Sequence, residues 1–254
     1  MSTPAEILTA GGLTNADLIV QAATATSVPL AIAAALIQKE TGGQNIYGHD
    51  GSVETGTGVF STKYGPVVIG GTTYAQGSNI PVTQGNFAEF LRRVTAGEKS
   101  NGVGPAQITY AGYFKKAPDY PFWDALANIR FGLTILADYL DDDFSDSSIS
   151  AAGARYNGGT NPGAKALTYG ADLLTKTKAW RAKLAGASDI GGVMPKVFLS
   201  PSDQDNNAVD GGGNEQQYAQ LRCARAAEVL RAHGVTVKVS EAGIGDDSNG
   251  YVAS

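Results

Sequence analysis

Residues 29–41 read Pro-Leu-Ala-Ile-Ala-Ala-Ala-Leu-Ile-Gln-Lys-Glu-Thr, and Gly42-Gly43 come directly after. The alanines favour helix, because they lose no side-chain entropy on coiling. Pro29 suits a first turn, where its missing N–H is not needed. Two glycines stop the helix. Glu40 lies one step along from Leu36 and Ile37 on the same stripe, so an acid stands where the pattern expects an apolar residue. In a last turn the helix dipole disfavours a negative charge, and partial burial disfavours it too. Both effects raise the pKa, which is what a general acid near neutral pH requires. The plainer alternative is a helix-end glutamate facing solvent.

On the N-terminal side the chain reads as two short helices. Pro4 to Thr9 succeeds the capping candidates Ser2 and Thr3 and ends at Gly11-Gly12, and Asn15 caps Ala16 to Thr24. On the C-terminal side, residues 44–85 have no helical period. Runs at Pro66–Ile69 and Thr72–Tyr74 flank Gly70-Gly71, a hairpin signal, so a small β-rich insert is predicted on a helical domain. Helix returns at Asn86 to Thr95. A Gly-rich turn at Asn101 to Gly112 enters a short helix, and Pro121 to Asp142 reads as the longest one. Its core stripe is Leu126, Ile129, Leu133, Leu136 and Leu140. Ser148 to Tyr156 and Ala164 to Leu184 are two more helices. The composition changes near Ala185. Residues 1–185 form the mainly α domain, 186–195 a linker, and 196–254 a partial α/β unit: a strand at Lys196–Leu199, a helix at Glu215–His233 and a strand at Thr236–Val239.

Composition narrows the function. The net charge of the 254 residues is −5, which argues against a general nucleic-acid binder. Cys223 is the one cysteine, so neither an internal disulfide nor a Cys-based zinc cluster forms. The two histidines, His49 and His233, are far apart, and no metal or cofactor is predicted. The best apolar run, Val28 to Ile37, is far short of the roughly 20 residues of a membrane span. A monomer without membrane insertion is expected. The first ten residues lack a basic segment leading into an apolar one, so no secretory signal is visible.

Two further segments carry chemistry. Gly102-Val103-Gly104-Pro105-Ala106-Gln107-Ile108-Thr109 pairs glycines, which let backbone approach a ligand closely, with a glutamine that donates and accepts. A tight turn is the plainer alternative. Ala154-Arg155-Tyr156-Asn157-Gly158-Gly159 sets a ring and an amide at a helix C-terminus. Tyr156 suits stacking on or bonding to a sugar and Asn157 suits an amide substituent, whereas an ordinary Asn-Gly cap gives the same letters.

Taken in order and spacing, Lys39-Glu40-Thr41-Gly42-Gly43, the Gly-x-Gly-x-x-Gln-Ile segment and Ala-x-Tyr-Asn-Gly-Gly resemble the lysozyme-like superfamily. The resemblance is to its soluble lytic transglycosylase and goose-type lysozyme branches, as used in phage endolysins, and covers roughly residues 15–184. It implies a lysozyme-like fold and cleavage of the β-1,4 bond between N-acetylmuramic acid and N-acetylglucosamine in bacterial peptidoglycan. It implies Glu40 as the acid, with Gln107, Tyr156 and Asn157 in the substrate groove; Tyr110 and Gly158 join them as binding candidates. A long insert, Gln44 to Lys99, departs from the simple pattern. Goose-type lysozymes have an aspartate downstream of the acid, and here Asp50 lies ten residues after Glu40 in a Gly-flanked loop. Asp50 is therefore the candidate second catalytic group, with Glu54 a lesser one and His49 a residue to orient it or bind substrate. Asp50 is equally a turn residue, since Asp-Gly marks turns. A hydrolase needs a second group, at a separation of about 5–5.5 Å for retention or about 6.5–9.5 Å for inversion. A lytic transglycosylase does not, because the 6-hydroxyl of the substrate attacks.

Beyond the linker, Lys196–Asp203, Gly213-Asn214-Glu215 and Gly234–Val237 resemble the start of a zinc-dependent N-acetylmuramoyl-L-alanine amidase. Glu215 matches that family's glutamate, Asp203 falls where its first histidine belongs, and its later histidine would lie past Ser254. Two carboxylates without imidazole make a poor zinc site, so no amidase activity is expected; His233 reads as structural. The overall expectation is an endolysin kept in the host cytoplasm until release to the wall. The rival readings are a wall-binding module without catalysis, a virion-associated lysin and a chitinase-type glycosidase.

Overall fold

The computed structural model describes residues 2–185, 197–199, 226 and 237–239. The chain divides into two compact units, Met1–Ser188 and Asp189–Ser254, and the boundary falls inside the predicted linker.

The first unit is mainly α. Its helices are α1 (Pro4–Ala10), α2 (Ala16–Thr26), α3 (Leu30–Glu40), α4 (Gln84–Thr95), α5 (Ala111–Lys116), α6 (Ala125–Leu140), α7 (Asp146–Gly158) and α8 (Ala164–Leu184). Every residue from Ala31 to Ile37 is buried, so α3 is covered on all sides rather than along one stripe. Its alanines let neighbours come close: α2 and α8 pack on it, α6 packs on α2 and α7, and α7 lies along α8.

Capping sets most boundaries. Thr3 and Glu6 form a capping box at α1. Thr83 and Asn86 form another at α4, which starts it two residues earlier than predicted. Asp124 accepts from Ala127 N at 2.8 Å and starts α6 at Ala125, so α6 is shorter than Pro121–Asp142 and α8 is the longest helix among the described residues. The predicted α6 stripe is the packed one: Ile129, Leu133, Leu136 and Leu140 are buried, and Leu126 packs partly against them. Asn15 departs from expectation. It precedes α2 with φ 53° and makes no side-chain cap; its amide instead donates to the Gly43 carbonyl.

Between α3 and α4 lie two antiparallel hairpins. One pairs β1 (Gly51–Ser52) with β2 (Gly56–Thr57). The other pairs β3 (Val67–Ile69) with β4 (Thr72–Tyr74), turning at Gly70-Gly71 with both glycines at positive φ, as predicted. An aromatic cluster roots this insert on the helices. Tyr47 and Phe60 meet Phe90 of α4, which packs edge-on against Phe114 of α5, which in turn meets Phe122.

In the second unit, β5 (Val197–Leu199) pairs parallel with β6 (Val237–Val239), and Ala226 between them is helical. A parallel pair needs a crossover connection, which agrees with the predicted strand–helix–strand order. The predicted linker 186–195, Asp203, Glu215, Cys223, His233 and the rest of the predicted helix over 215–233 lie outside the described residues.

Candidate active site

Glu40 is the last residue of α3, and the glycine turn after it fixes its place. Gly42 and Gly43 take φ values of 66° and 90°, a region that side chains disfavour. Gly43 runs so close to Thr14 that a Cβ there would stand 2.1 Å from the Thr14 carbonyl oxygen. Thr14 N donates to Gly42 O at 2.8 Å, and Asn15 Nδ2 donates to Gly43 O at 2.8 Å. Thr41 Oγ1 donates to Pro105 O at 3.1 Å. The start of α2 and the Gly/Gln loop therefore both grip the turn beside the acid.

Glu40 is half-buried as a residue, and its Oε1 accepts a hydrogen bond from the Tyr169 hydroxyl of α8. Burial pushes its pKa up to about 7, against the Tyr169 hydrogen bond and the Lys39 ammonium, which lower it; the negative charge of Asp50 adds to the rise. Burial holds the Tyr169 and Tyr156 phenols well above their ordinary range, so both remain neutral donors. Tyr156 donates to Ala106 O at 2.6 Å and ties α7 to the Gly/Gln loop.

Asp50 faces the same groove from the insert. Its Oδ2 accepts from Gly102 N at 2.8 Å and from Thr109 Oγ1 at 3.4 Å, and no hydrogen bond from the described residues reaches Oδ1. Its own N–H donates to Asn101 Oδ1 at 3.1 Å. Asn101 is fully buried, and its Nδ2 donates to Gly48 O and Val59 O, which locks the Asp50 loop onto the Gly102 segment. Gln107 has φ 48° and folds its amide back: Nε2 donates to Ile46 O at 3.1 Å and to Gly104 O at 2.9 Å. A Cβ at Gly48 or Gly102 would meet Gln107 Oε1 at 2.4 or 2.2 Å. The glycines of this motif thus make room for a side chain of the protein itself. Gln107 shapes the wall with its amide donor already engaged.

Glu40, Asp50, Gln107, Tyr110, Tyr156 and Asn157 come together around one groove of about 740 Å³. Two predicted binding residues do not line it. His49 turns away, with Nε2 on Asn79 Oδ1 at 3.2 Å and Nδ1 on Thr62 Oγ1 at 3.3 Å, so it braces the insert. Gly158 allows packing instead, since a Cβ there would stand 2.6 Å from Ala166 Cβ; Gly159 is the glycine on the wall. Glu54 is exposed and also absent from the lining. Sequence reading missed Tyr113, Tyr139 and Ile135, which line the groove from α5 and α6, and Arg155 and Thr160 near the end of α7. It also missed Tyr169, the residue bonded to the acid. Arg155 sits inside a quoted motif and offered a signal; Tyr169 lies 129 residues from Glu40 and offered none. Tyr110 is 66% exposed and meets Tyr113 edge-on, with ring centres 5.2 Å apart.

Among the described residues no group of three His, Cys, Asp or Glu side chains is placed to hold a metal ion. The chemistry on offer is a carboxyl with its pKa pushed up to about 7, a second carboxyl group lining the same groove, and tyrosine rings beside them, of which Tyr110 is exposed. Comparison with protein-family models, curated proteins and solved structures finds no match for this chain.

Proposed function

We propose that this chain cleaves the β-1,4 bond between N-acetylmuramic acid and N-acetylglucosamine in bacterial peptidoglycan, as a hydrolase of lysozyme-like architecture. The observation that carries the reading is Glu40: a carboxyl at the groove wall with its pKa pushed up to about 7, in a groove that a second acid, Asp50, also lines. Glu40 gives its proton to the glycosidic oxygen as the bond breaks. Asp50, held through Oδ2, keeps Oδ1 for a water that attacks the anomeric carbon. The exposed Tyr110 ring stacks on a sugar face, and Asn157 bonds an acetamido group. An endolysin, released from the host cytoplasm to the wall, is the setting that fits this chemistry.

The test is mass spectrometry of peptidoglycan digested by wild type and by Glu40→Gln. Wild type is expected to release muropeptides with a reducing-end N-acetylmuramic acid, and the variant to lose at least about a hundredfold in rate. Products ending in 1,6-anhydro-N-acetylmuramic acid would instead mark a lytic transglycosylase and remove the role of Asp50. No glycan fragment from wild type would leave a wall-binding module. Because the acid must be protonated, kcat/KM is expected to fall as pH rises, with a midpoint near the Glu40 value of about 7.

A further inference from the structure

Lys39 sits beside Glu40 in the last turn of α3, and its side chain is only 18% exposed. Its ammonium is ion-paired with Asp172 Oδ2 of α8 and stands 4.4 Å from the centre of the Tyr169 ring. Tyr169 and Asp172 are three residues apart on α8 and therefore share a face. Tyr169 in turn donates to Glu40. Two helices are thus joined by a closed circuit of four side chains: Glu40 to Tyr169, along α8 to Asp172, across to Lys39, and back along α3. We propose that Lys39 and Asp172 are positioning residues, their ion pair pinning the ammonium against the Tyr169 ring and so holding the Tyr169 hydroxyl on Glu40. The role rests on Glu40 being the acid of the proposed reaction.

A tyrosine is free to swing about its first side-chain torsions unless its ring is packed or clamped. The Tyr169 ring packs in part against the core, the cation on its face adds a clamp on that side, and the ion pair fixes where the cation stands. Lys176 extends the pair, with Nζ 4.0 Å from Asp172 Oδ1. The other groups around Glu40 are Asp50 from the insert and Tyr156 and Arg155 from α7.

Asp172→Asn separates positioning from plain charge because the two act with opposite sign. Removing a negative group and freeing the Lys39 charge would by itself stabilise the Glu40 carboxylate and lower its titration midpoint. Losing the Tyr169 hydrogen bond raises that midpoint, since the bond favours the ionised form. The experiment is an NMR titration of the Glu40 side-chain carboxyl carbon in the full chain, assigned with Glu40→Gln. Tyr169→Phe is expected to raise the midpoint by about one pH unit, Asp172→Asn to raise it by less because the freed charge pulls the other way, and the double variant to raise it by no more than Tyr169→Phe alone. A midpoint that falls or stays put in Asp172→Asn, or a double variant showing the full sum, overturns the proposal. Should Asp172→Asn fail to fold, Lys39→Met combined with Tyr169→Phe asks the same question. Shifts smaller than their sum support positioning, and additive shifts mean Lys39 acts by charge alone. If wild type releases no glycan fragments, the glycosidase reading fails while the titration still judges the clamp.

Discussion

At the scale of single residues, the burial that raises the Glu40 pKa carries a cost in stability. Its folded pKa of about 7 lies above the ordinary 4.5. Below pH 4.5 both folded and unfolded chains hold the proton, and the residue is neutral in the balance. Between 4.5 and 7 only the folded chain holds it, so stability falls as pH rises. Above 7 the cost is complete, at most about 3 kcal/mol. Glu40→Gln is therefore expected to stabilise the first unit by about 1–3 kcal/mol at pH 8 and by nothing measurable at pH 4. Trp123 and Trp180 both belong to that unit, so denaturant titration monitored by tryptophan fluorescence checks it. A stabilisation equal at both pH values would mean that Glu40 titrates normally. Much of this was legible in the sequence, because an acid continuing a buried stripe announces its own desolvation. Its partners were not: Tyr169 and Asp172 look like ordinary helix residues until α8 is laid against α3. Gln107 and His49 show a different limit, since a polar side chain in a promising motif can be consumed by bonds to its own loop.

At the scale of elements, the crossing of α7 on α8 sets where Tyr156 and Tyr169 stand. The helices touch through glycines. A Cβ at Gly170 would lie 2.0 Å from Ser150 O, and one at Gly153 would lie 2.7 Å from Leu173 Cδ2 and 3.1 Å from Gly170 Cα. Backbone cannot yield as a flexible side chain can, so Gly170→Ala is expected to cost about 2–4 kcal/mol. Thermal unfolding of the variant measures this, and a change under about 0.5 kcal/mol would show that the crossing adjusts freely. Helix identities were readable from period and composition, as was the Gly70-Gly71 hairpin. Boundaries shifted where a cap two or three residues away decided them, as Thr83 and Asp124 did. Asn15 defeats local reading because its amide serves the Gly43 carbonyl across the chain instead of its own helix.

At the scale of the whole molecule, every residue of the groove, and both Tyr169 and Asp172, belong to Met1–Ser188. A fragment ending at Ser188 is expected to cut soluble glycan within about twofold of the full chain. A rate below about a tenth would mean that the second unit contributes to the groove. The division into two units was visible as a change of composition near Ala185; the three-way meeting of α3, α8 and the insert was not, since local patterning carries no record of which distant elements touch. That meeting also bears on synthesis. Tyr169 and Asp172 come 129 and 133 residues after Glu40 and Lys39. A chain leaving the ribosome thus displays its acid long before α8 exists to support it. Order of synthesis therefore sets the order of burial: Glu40 and Lys39 find their α8 partners only when almost the whole first unit has been made.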